Sequence, residues 1–131
     1  ESEAAGVSFV DTMRDQVARN TRSPGLVALH VVLSAEATDP QHPAHESFRE
    51  RYRAIRHQDD ESFSRLQEQG ELRTDLDPKR VGQLVTAMMD GLQLQWLLDP
   101  DAVDMEGLFE DFLHLLEIPA RHGTGADDTT A

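Results

Sequence analysis

Residues 78–98 carry apolar side chains around more of a helical circumference than one core can cover. At about 100° per residue, one arc holds Val81, Leu84, Val85, Met88, Met89, Leu92 and Trp96. A second, adjoining arc holds Ala87, Gly91, Leu94 and Leu98. A helix needs an apolar stripe only about 100° wide to face one core. We therefore expect one arc to face the interior and the other to need a separate partner.

Four further helices are predicted by apolar residues that recur at helical spacing. The predicted ranges are 3–21, about 24–37, about 44–70 and about 105–117. The helix ends carry serine or aspartate caps, proline in the first turn, and one glycine stop. These signals are Ser23-Pro24, Gly70, Asp77-Pro78 and Asp104. The expected fold class is all-α, a five-helix orthogonal or antiparallel bundle over residues 1–118, with residues 119–131 as a disordered tail.

The second of these stretches has no polar face, because residues 26–33 are apolar except for His30. Eight such residues also suit a buried strand. Helix is preferred, since residues 34–37 continue it naturally and no second strand is available for pairing. A helix that is apolar all round is predicted to lie at the centre of the domain, surrounded by its neighbours.

Composition excludes several classes of protein. The chain has 131 residues, a net charge of −13 and no cysteine, which excludes a disulfide scaffold, a thiolate zinc site and cysteine catalysis. The acidity repels a phosphate backbone, so this chain should not itself contact DNA. No apolar run approaches the ~18 residues of a membrane span, and residues 1–3 do not resemble a signal peptide. We expect a cytoplasmic protein without a membrane partner.

Residues 69–116 resemble the C-terminal part of TetR-family transcriptional regulators. The motifs that carry the resemblance are Gly70–Pro78, Met89–Gln93 and Trp96–Pro100, and Ala35–Ala37 and Pro43–Tyr52 upstream also suit the family. The resemblance implies an effector-binding and dimerisation domain of a regulator, with a repressor as the expected type. It also implies a DNA-binding helix-turn-helix in a separate amino-terminal part. None is present here, so we expect a fragment of a bacterial regulator rather than a natural protein that lost DNA binding.

The resemblance further implies that the last two helices form a four-helix bundle with those of a twofold mate. This agrees with the surplus apolar arc of residues 78–98. The residues expected in the homodimer interface are Ala87, Gly91, Leu94, Leu98, Phe109, Phe112 and Leu116. The alternative is that Phe109 and Leu116 cover the domain's own core.

A ligand pocket in a helical domain lies between helices and combines apolar walls with a few converging polar groups. The residues expected to line it are Phe9, Met13, His30, Leu33, Tyr52, Arg56, Asp59, Phe63, Met88, Met89, Gln93 and Trp96. This set predicts a lipophilic or aromatic small-molecule effector with one polar handle. A ligand that favours one arrangement of the helices would alter the spacing of two DNA-reading heads.

The polar members of this set each have a plainer interpretation. Asp59 interrupts an apolar stripe, so it is either paired in a pocket or solvated where its helix extends beyond the core. His30 has the more common interpretation of a neutral histidine that a nearby carbonyl satisfies. Solvent exposure is the slightly preferred interpretation of Arg56 and Gln93, and the methionines also suit an ordinary core.

Neither catalysis nor a cofactor is expected. His42 and His45 have a spacing that suits metal ligands, but Pro43 places His42 before the helix and no carboxylates complete a site. No nucleophile with a positioned base and no phosphate-binding loop is recognisable. The alternative functions are a helical dimerisation or adaptor module with a filled core, and a small-molecule carrier. An enclosed void of several hundred Å³ would favour sensing over the adaptor.

Overall fold

The computed structural model describes residues 2–121, with side chains described from Phe9 onward. The described chain forms five helices and no strand: α1 (Ser2–Asn20), α2 (Pro24–Glu36), α3 (His45–Glu68), α4 (Pro78–Leu98) and α5 (Met105–Leu115). The predicted all-α class is confirmed, and so is the choice of helix over strand for residues 26–33. None of these helices is long and apolar enough to cross a membrane. The predicted disordered tail lies outside the described residues from position 122 onward.

The amino-terminal helix ends follow the predicted capping residues with one difference. Asp77 accepts a hydrogen bond from the backbone N–H of Lys79 at 3.0 Å, and Asp104 accepts one from Gly107 at 3.0 Å. Ser23 stands before the first residue of α2 as predicted, but its side chain makes no capping hydrogen bond. The start of α2 therefore depends on the fixed φ of proline rather than on a side-chain cap.

α3 and α5 end in the same kind of left-handed turn. After α3 the left-handed residue is Gly70, at φ +80°, as the predicted glycine stop requires. After α5 it is Glu117, at φ +64°, and the N–H of Ile118 donates to the carbonyl of Leu113 at 3.0 Å. An L-residue with a Cβ is disfavoured in this region, so the second turn is strained where the first is not.

Replacing Glu117 with glycine should raise the free energy of unfolding by about 1 kcal/mol. Glycine removes the ~1–2 kcal/mol cost of the left-handed conformation, and its greater unfolded-state entropy returns part of that gain. Urea denaturation followed by circular dichroism, at equal protein concentration, measures the change. Glu117→Gln keeps the Cβ and should leave stability within about 0.5 kcal/mol of the parent. An equal gain in both variants would assign the effect to charge instead.

The core lies where α1, α3, α4 and α5 meet. Its most completely buried side chains are Phe63, Leu66, Val81, Val85, Phe109 and Leu113. α3 and α4 run antiparallel, since Tyr52 of α3 meets Asp90 late in α4 and Asp59 meets Gly82 near the start of α4. This long helix pair brings together most of the residues that the sequence marks as functional.

The prediction that α2 is central and surrounded by its neighbours is wrong. Val27 is the buried residue of this helix, whereas Leu26, Leu29 and Val32 are 70%, 61% and 56% exposed. α2 packs against α1 and α4, and these exposed side chains are left uncovered by the described residues. The run of apolar residues correctly indicated that α2 has no polar face. Such a run does not show how many other helices pack around it.

Two residues predicted for the dimer interface lie in the chain's own core instead. Phe109 and Leu116 are buried against this chain, which is the alternative that the sequence left open, and Phe112 is half-buried. The outward residues of this region are Leu108 on α5 and Leu115 at its end. The physical reason is the helical period, because Met105, Phe109 and Leu113 already supply one inward face at spacings of four.

Candidate functional site

One face of α4 carries an apolar stripe that the described chain leaves uncovered. We call it the α4 stripe, formed by Leu84, Ala87, Gly91, Leu94 and Leu98. Leu84, Leu94 and Leu98 are 52%, 47% and 77% exposed. A Cβ on Gly91 would meet no heavy atom within 4 Å, so nothing in the described chain approaches this backbone. The surplus arc predicted for this helix is therefore present as an exposed surface. The sequence assigned Leu84 to the other arc, and its exposure shows that this assignment was wrong.

The opposite side of α4 forms a seam with α3. We call it the α3–α4 seam, and its residues are Tyr52 and Asp59 of α3 with Gly82, Thr86, Asp90 and Gln93 of α4. The four α4 positions recur at spacings of four, four and three, which places them on one helical face. By the helical period this face and the α4 stripe are about 125° apart around the axis.

Asp59 is the most confined polar group of the seam. Asp59 is 4% exposed and lies very close to α4. A Cβ added to Gly82 would stand 2.6 Å from the Cβ of Asp59. Thr86 hydrogen bonds to the carboxyl group, while Oδ2 has no hydrogen-bond partner among the described residues. The solvated alternative for Asp59 is wrong, because glycine at position 82 lets the side chain enter the helix interface.

Burial raises the pKa of Asp59 from its ordinary 3.8 to about 6, and repulsion from neighbouring Asp60 adds to the shift. The hydrogen bond from Thr86 acts in the opposite direction. Between these two pKa values the folded protein holds a proton that the unfolded chain has lost. The free energy of unfolding therefore falls as the pH rises from about 3.8 to about 6. Above that window the destabilisation caused by the buried carboxylate is constant.

Replacing Asp59 with asparagine should raise the free energy of unfolding by about 2 kcal/mol at about pH 7.5, because the buried charge is removed. Near pH 4.5 most of the wild-type carboxyl is protonated in the folded state, so the gain should shrink to about 0.5 kcal/mol. Urea denaturation at the two pH values measures the difference. A gain that does not change with pH would mean that Asp59 does not titrate in this window.

The remaining seam residues include one satisfied pair and one unsatisfied amide. The hydroxyl of Tyr52 donates to Asp90 at 2.8 Å. Burial, followed by this bond to an anion, raises the pKa of Tyr52 to about 12. Oε1 of Gln93 is buried, and no described residue hydrogen bonds to it. The sequence slightly favoured solvent exposure for Gln93, whereas the structure places its amide oxygen inside.

The apolar residues of the predicted pocket contribute mainly to the core. Phe63 is fully buried, and the ring of Phe9 meets it edge-on with centroids 5.3 Å apart. The partly buried residues packed against the same core include Met13, Met88, Met89 and Trp96. The interpretation of the methionines as ordinary core residues therefore describes this structure well.

Three other predicted residues lie towards the periphery. The ring of His30 stands 5.8 Å from that of Phe48, and Leu33 is half-buried. Arg56 is exposed, so its predicted role in the pocket is not supported by its position, and solvent exposure is what the structure shows. His30 and Leu33 belong to α2, the least buried of the helices that the sequence placed around the pocket.

Two concavities of the described chain lie away from the predicted pocket. An open groove of about 450 Å³ lies between α1 and α5, and a small hollow lies beside it. None of the twelve predicted pocket residues lines either one. The described residues also bring together no group of three histidine, aspartate or glutamate side chains that could hold a metal ion.

The groove contains a buried arginine that the sequence analysis missed. Arg14 donates from Nε to Glu110 at 2.6 Å, from a terminal nitrogen to Asp11 at 2.8 Å, and from the other to the carbonyl of Pro119 at 2.9 Å. Arg121 donates to Asp15 at 2.5 Å. These bonds join α1, α5 and residues 119–121. The available signal was spacing, because Arg14 follows buried Val10 by four residues.

The fold and the two faces of α4 define an all-helical domain with a packed interior seam and an uncovered apolar stripe. The sequence profile described as the C-terminal domain of BetI-type transcriptional repressors matches residues 9–117. The chain belongs to this family, and is therefore a C-terminal domain of TetR-family type. Domains of this type typically bind ligands and dimerise in transcriptional regulators. No curated protein and no solved structure matches the chain.

Proposed function

We propose that the chain is the effector-sensing and dimerisation domain of a TetR-family repressor and works as a homodimer. The effector is a lipophilic or aromatic small molecule that binds among α1–α4. DNA recognition belongs to a helix-turn-helix outside this chain, because a net charge of −13 repels a phosphate backbone.

The observation that carries this proposal is the uncovered α4 stripe. Its residues follow one another at spacings of three, four, three and four, the alternation by which two helices pack along a common seam. Ala87 and Gly91 at its middle allow two backbones to approach closely. Leu108 and Leu115 extend the apolar surface onto α5. A twofold axis through such a surface would bury the same residues on both protomers.

The position of α4 supports a link between sensing and dimerisation. The α3–α4 seam and the α4 stripe are two faces of a single helix, so a ligand that displaces α3 acts directly on the dimerisation helix. α1 would convey the change to a DNA-binding head. Such coupling requires the ligand to bind two arrangements of the helices with different affinity, typically by about 1–3 kcal/mol.

A second candidate function is a dimerisation or adaptor module without a small-molecule ligand. The observation that favours it is the close-packed interior, since Phe63 is fully buried and the groove of about 450 Å³ lies away from the predicted pocket. The two candidates share the dimer and differ in whether the interior opens for a ligand.

Native mass spectrometry and sedimentation analysis of the 131-residue chain at micromolar concentration test the proposal. We expect a mass of twice 14.7 kDa. A small molecule retained by the dimer would support sensing, and a dimer that neither retains nor takes up any lipophilic compound would favour the adaptor. A chain that stays monomeric would overturn both candidates.

A further inference from the structure

Two buried oxygen atoms along the α3–α4 seam find no hydrogen-bond partner in the part of the chain that the structure describes. They are Oδ2 of Asp59 and Oε1 of Gln93. A carboxylate oxygen and an amide oxygen both accept hydrogen bonds. A buried polar group without a partner destabilises the folded state, so such groups are rare and need an explanation.

The two atoms belong to the same structural unit. Gln93 stands seven residues after Thr86, the α4 residue that hydrogen bonds to Asp59, which is about 10 Å along the helix. The bond between Tyr52 and Asp90 lies between them. The seam thus alternates an unsatisfied acceptor, a satisfied pair and a second unsatisfied acceptor. A third unpartnered atom, Nε of Arg65, lies elsewhere around α3, about 120° from Asp59.

The charges around the seam favour a cationic donor. Asp60 is adjacent to Asp59 in sequence, and Asp90 is already in the seam as the acceptor for Tyr52. Arg56, the nearest arginine before Asp59 on α3, is exposed, and no ion pair joins a basic side chain to Asp59 in the described chain. An anionic ligand would meet these carboxylates without compensation.

We propose that the effector is an amphiphile with a primary or secondary amine, and that its N–H groups donate to Asp59 from between α3 and α4. The inference rests on the proposed sensing function and names its ligand class. The amine satisfies Oδ2, while the apolar body lies among the aromatic and methionine side chains around Phe63. Because Asp59 packs directly against Gly82, the ligand reaches Oδ2 by separating α3 from α4.

Four probes with one hexyl chain and different head groups test this inference. Hexylamine carries charge and N–H donors, hexyltrimethylammonium carries charge without a donor, hexanol carries a neutral donor, and hexanoate carries a negative charge. The fluorescence of Trp96, the single tryptophan, reports binding from the half-buried position three residues after Gln93. Titrations in about 0.15 M salt screen non-specific attraction to an acidic protein.

We expect saturable binding of hexylamine at least tenfold tighter than that of hexanol or hexyltrimethylammonium, and none of hexanoate. Asp59→Asn should abolish this preference while hexanol binding changes less than threefold. Asp60→Asn is the matched control, since it removes the same charge one residue away and should retain the preference. Thermal melts of both variants confirm that they are folded.

Each of the other outcomes would overturn a specific part of this inference. Equal binding of hexylamine and hexyltrimethylammonium would reduce the preference to charge alone, and an amine preference that survives in Asp59→Asn would remove Asp59 from the site. Tighter binding of hexanol or hexanoate would overturn the ligand class but leave small-molecule sensing intact. If none of the probes binds saturably, this inference fails, and the result favours a dimerisation or adaptor module without a small-molecule ligand. The dimer mass is measured separately and is unaffected by that result.

Discussion

Replacing Leu94 with aspartate should weaken the homodimer at least about 100-fold, equivalent to about 3 kcal/mol. Leu94 lies in the α4 stripe, and a twofold interface contains it twice, so each dimer would bury two unpaired carboxylates. The chain's own fold should change little, because this side chain makes no part of the core and is already half exposed. Sedimentation equilibrium over a range of concentrations measures the shift, with circular dichroism as the check on folding.

Leu29→Asp is the matched control for this experiment. Leu29 is also an exposed leucine in the middle of a helix, but it belongs to α2 rather than α4. The same substitution there should leave the dimer dissociation constant within about threefold of the parent. If Leu29→Asp dissociates the dimer and Leu94→Asp does not, the interface lies on α2. That result would refute the assignment of the α4 stripe while leaving a dimer in place.

Local signals in the sequence were sufficient for the helices themselves. Asp77 and Asp104 cap helices through contacts within three residues, and Gly70 occupies a conformation that few other residues accept. The surplus arc of α4 was also readable, because helical periodicity alone separates its two faces. Information of this kind is contained in neighbouring residues, and the structure agrees with it.

Signals that depend on which helices are neighbours were harder to read. α2 is apolar all round in sequence, yet its environment depends on the path of α1, α3 and α4, and the described part of the chain leaves one of its sides uncovered. Phe109 and Leu108 are adjacent and both hydrophobic, and Phe109 faces inward because it shares a helical face with the buried residues Met105 and Leu113. Hydrophobicity identifies a face to be covered, but not what covers it.

The sequence pointed to three of the six residues of the α3–α4 seam, which are Tyr52, Asp59 and Gln93. Asp59 was identified because it interrupts an apolar stripe, and Gln93 because it flanks the methionine-rich arc of its helix. Both hold a buried oxygen without a hydrogen-bond partner among the described residues. The close approach of Gly82 to Asp59 could not be predicted, since 23 positions separate them and the contact depends on the register of two antiparallel helices. In this register, the missing side chain of Gly82 is what allows α3 and α4 to pack closely at Asp59.

Replacing Gly82 with alanine should therefore lower the free energy of unfolding by about 3 kcal/mol. The new Cβ would stand 2.6 Å from the Cβ of Asp59, a distance that neither side chain can relieve by rotation, so the two helices must separate. The loss should appear despite the ~1 kcal/mol that alanine gains over glycine in a helix. Gly25→Ala is the matched control, since a Cβ there meets nothing within 4 Å, and it should be neutral or stabilising.

A double-mutant cycle separates the clash from every other effect of the substitution. Asp59→Ala removes the carboxyl group but keeps the Cβ that Gly82→Ala would strike, whereas Asp59→Gly removes both. Combined with Gly82→Ala, Asp59→Gly should recover about 2 kcal/mol of coupling energy, and Asp59→Ala should recover less than about 0.5 kcal/mol. Equal coupling in the two cycles would mean that the carboxyl group, rather than the distance between the helices, determines the cost of filling position 82.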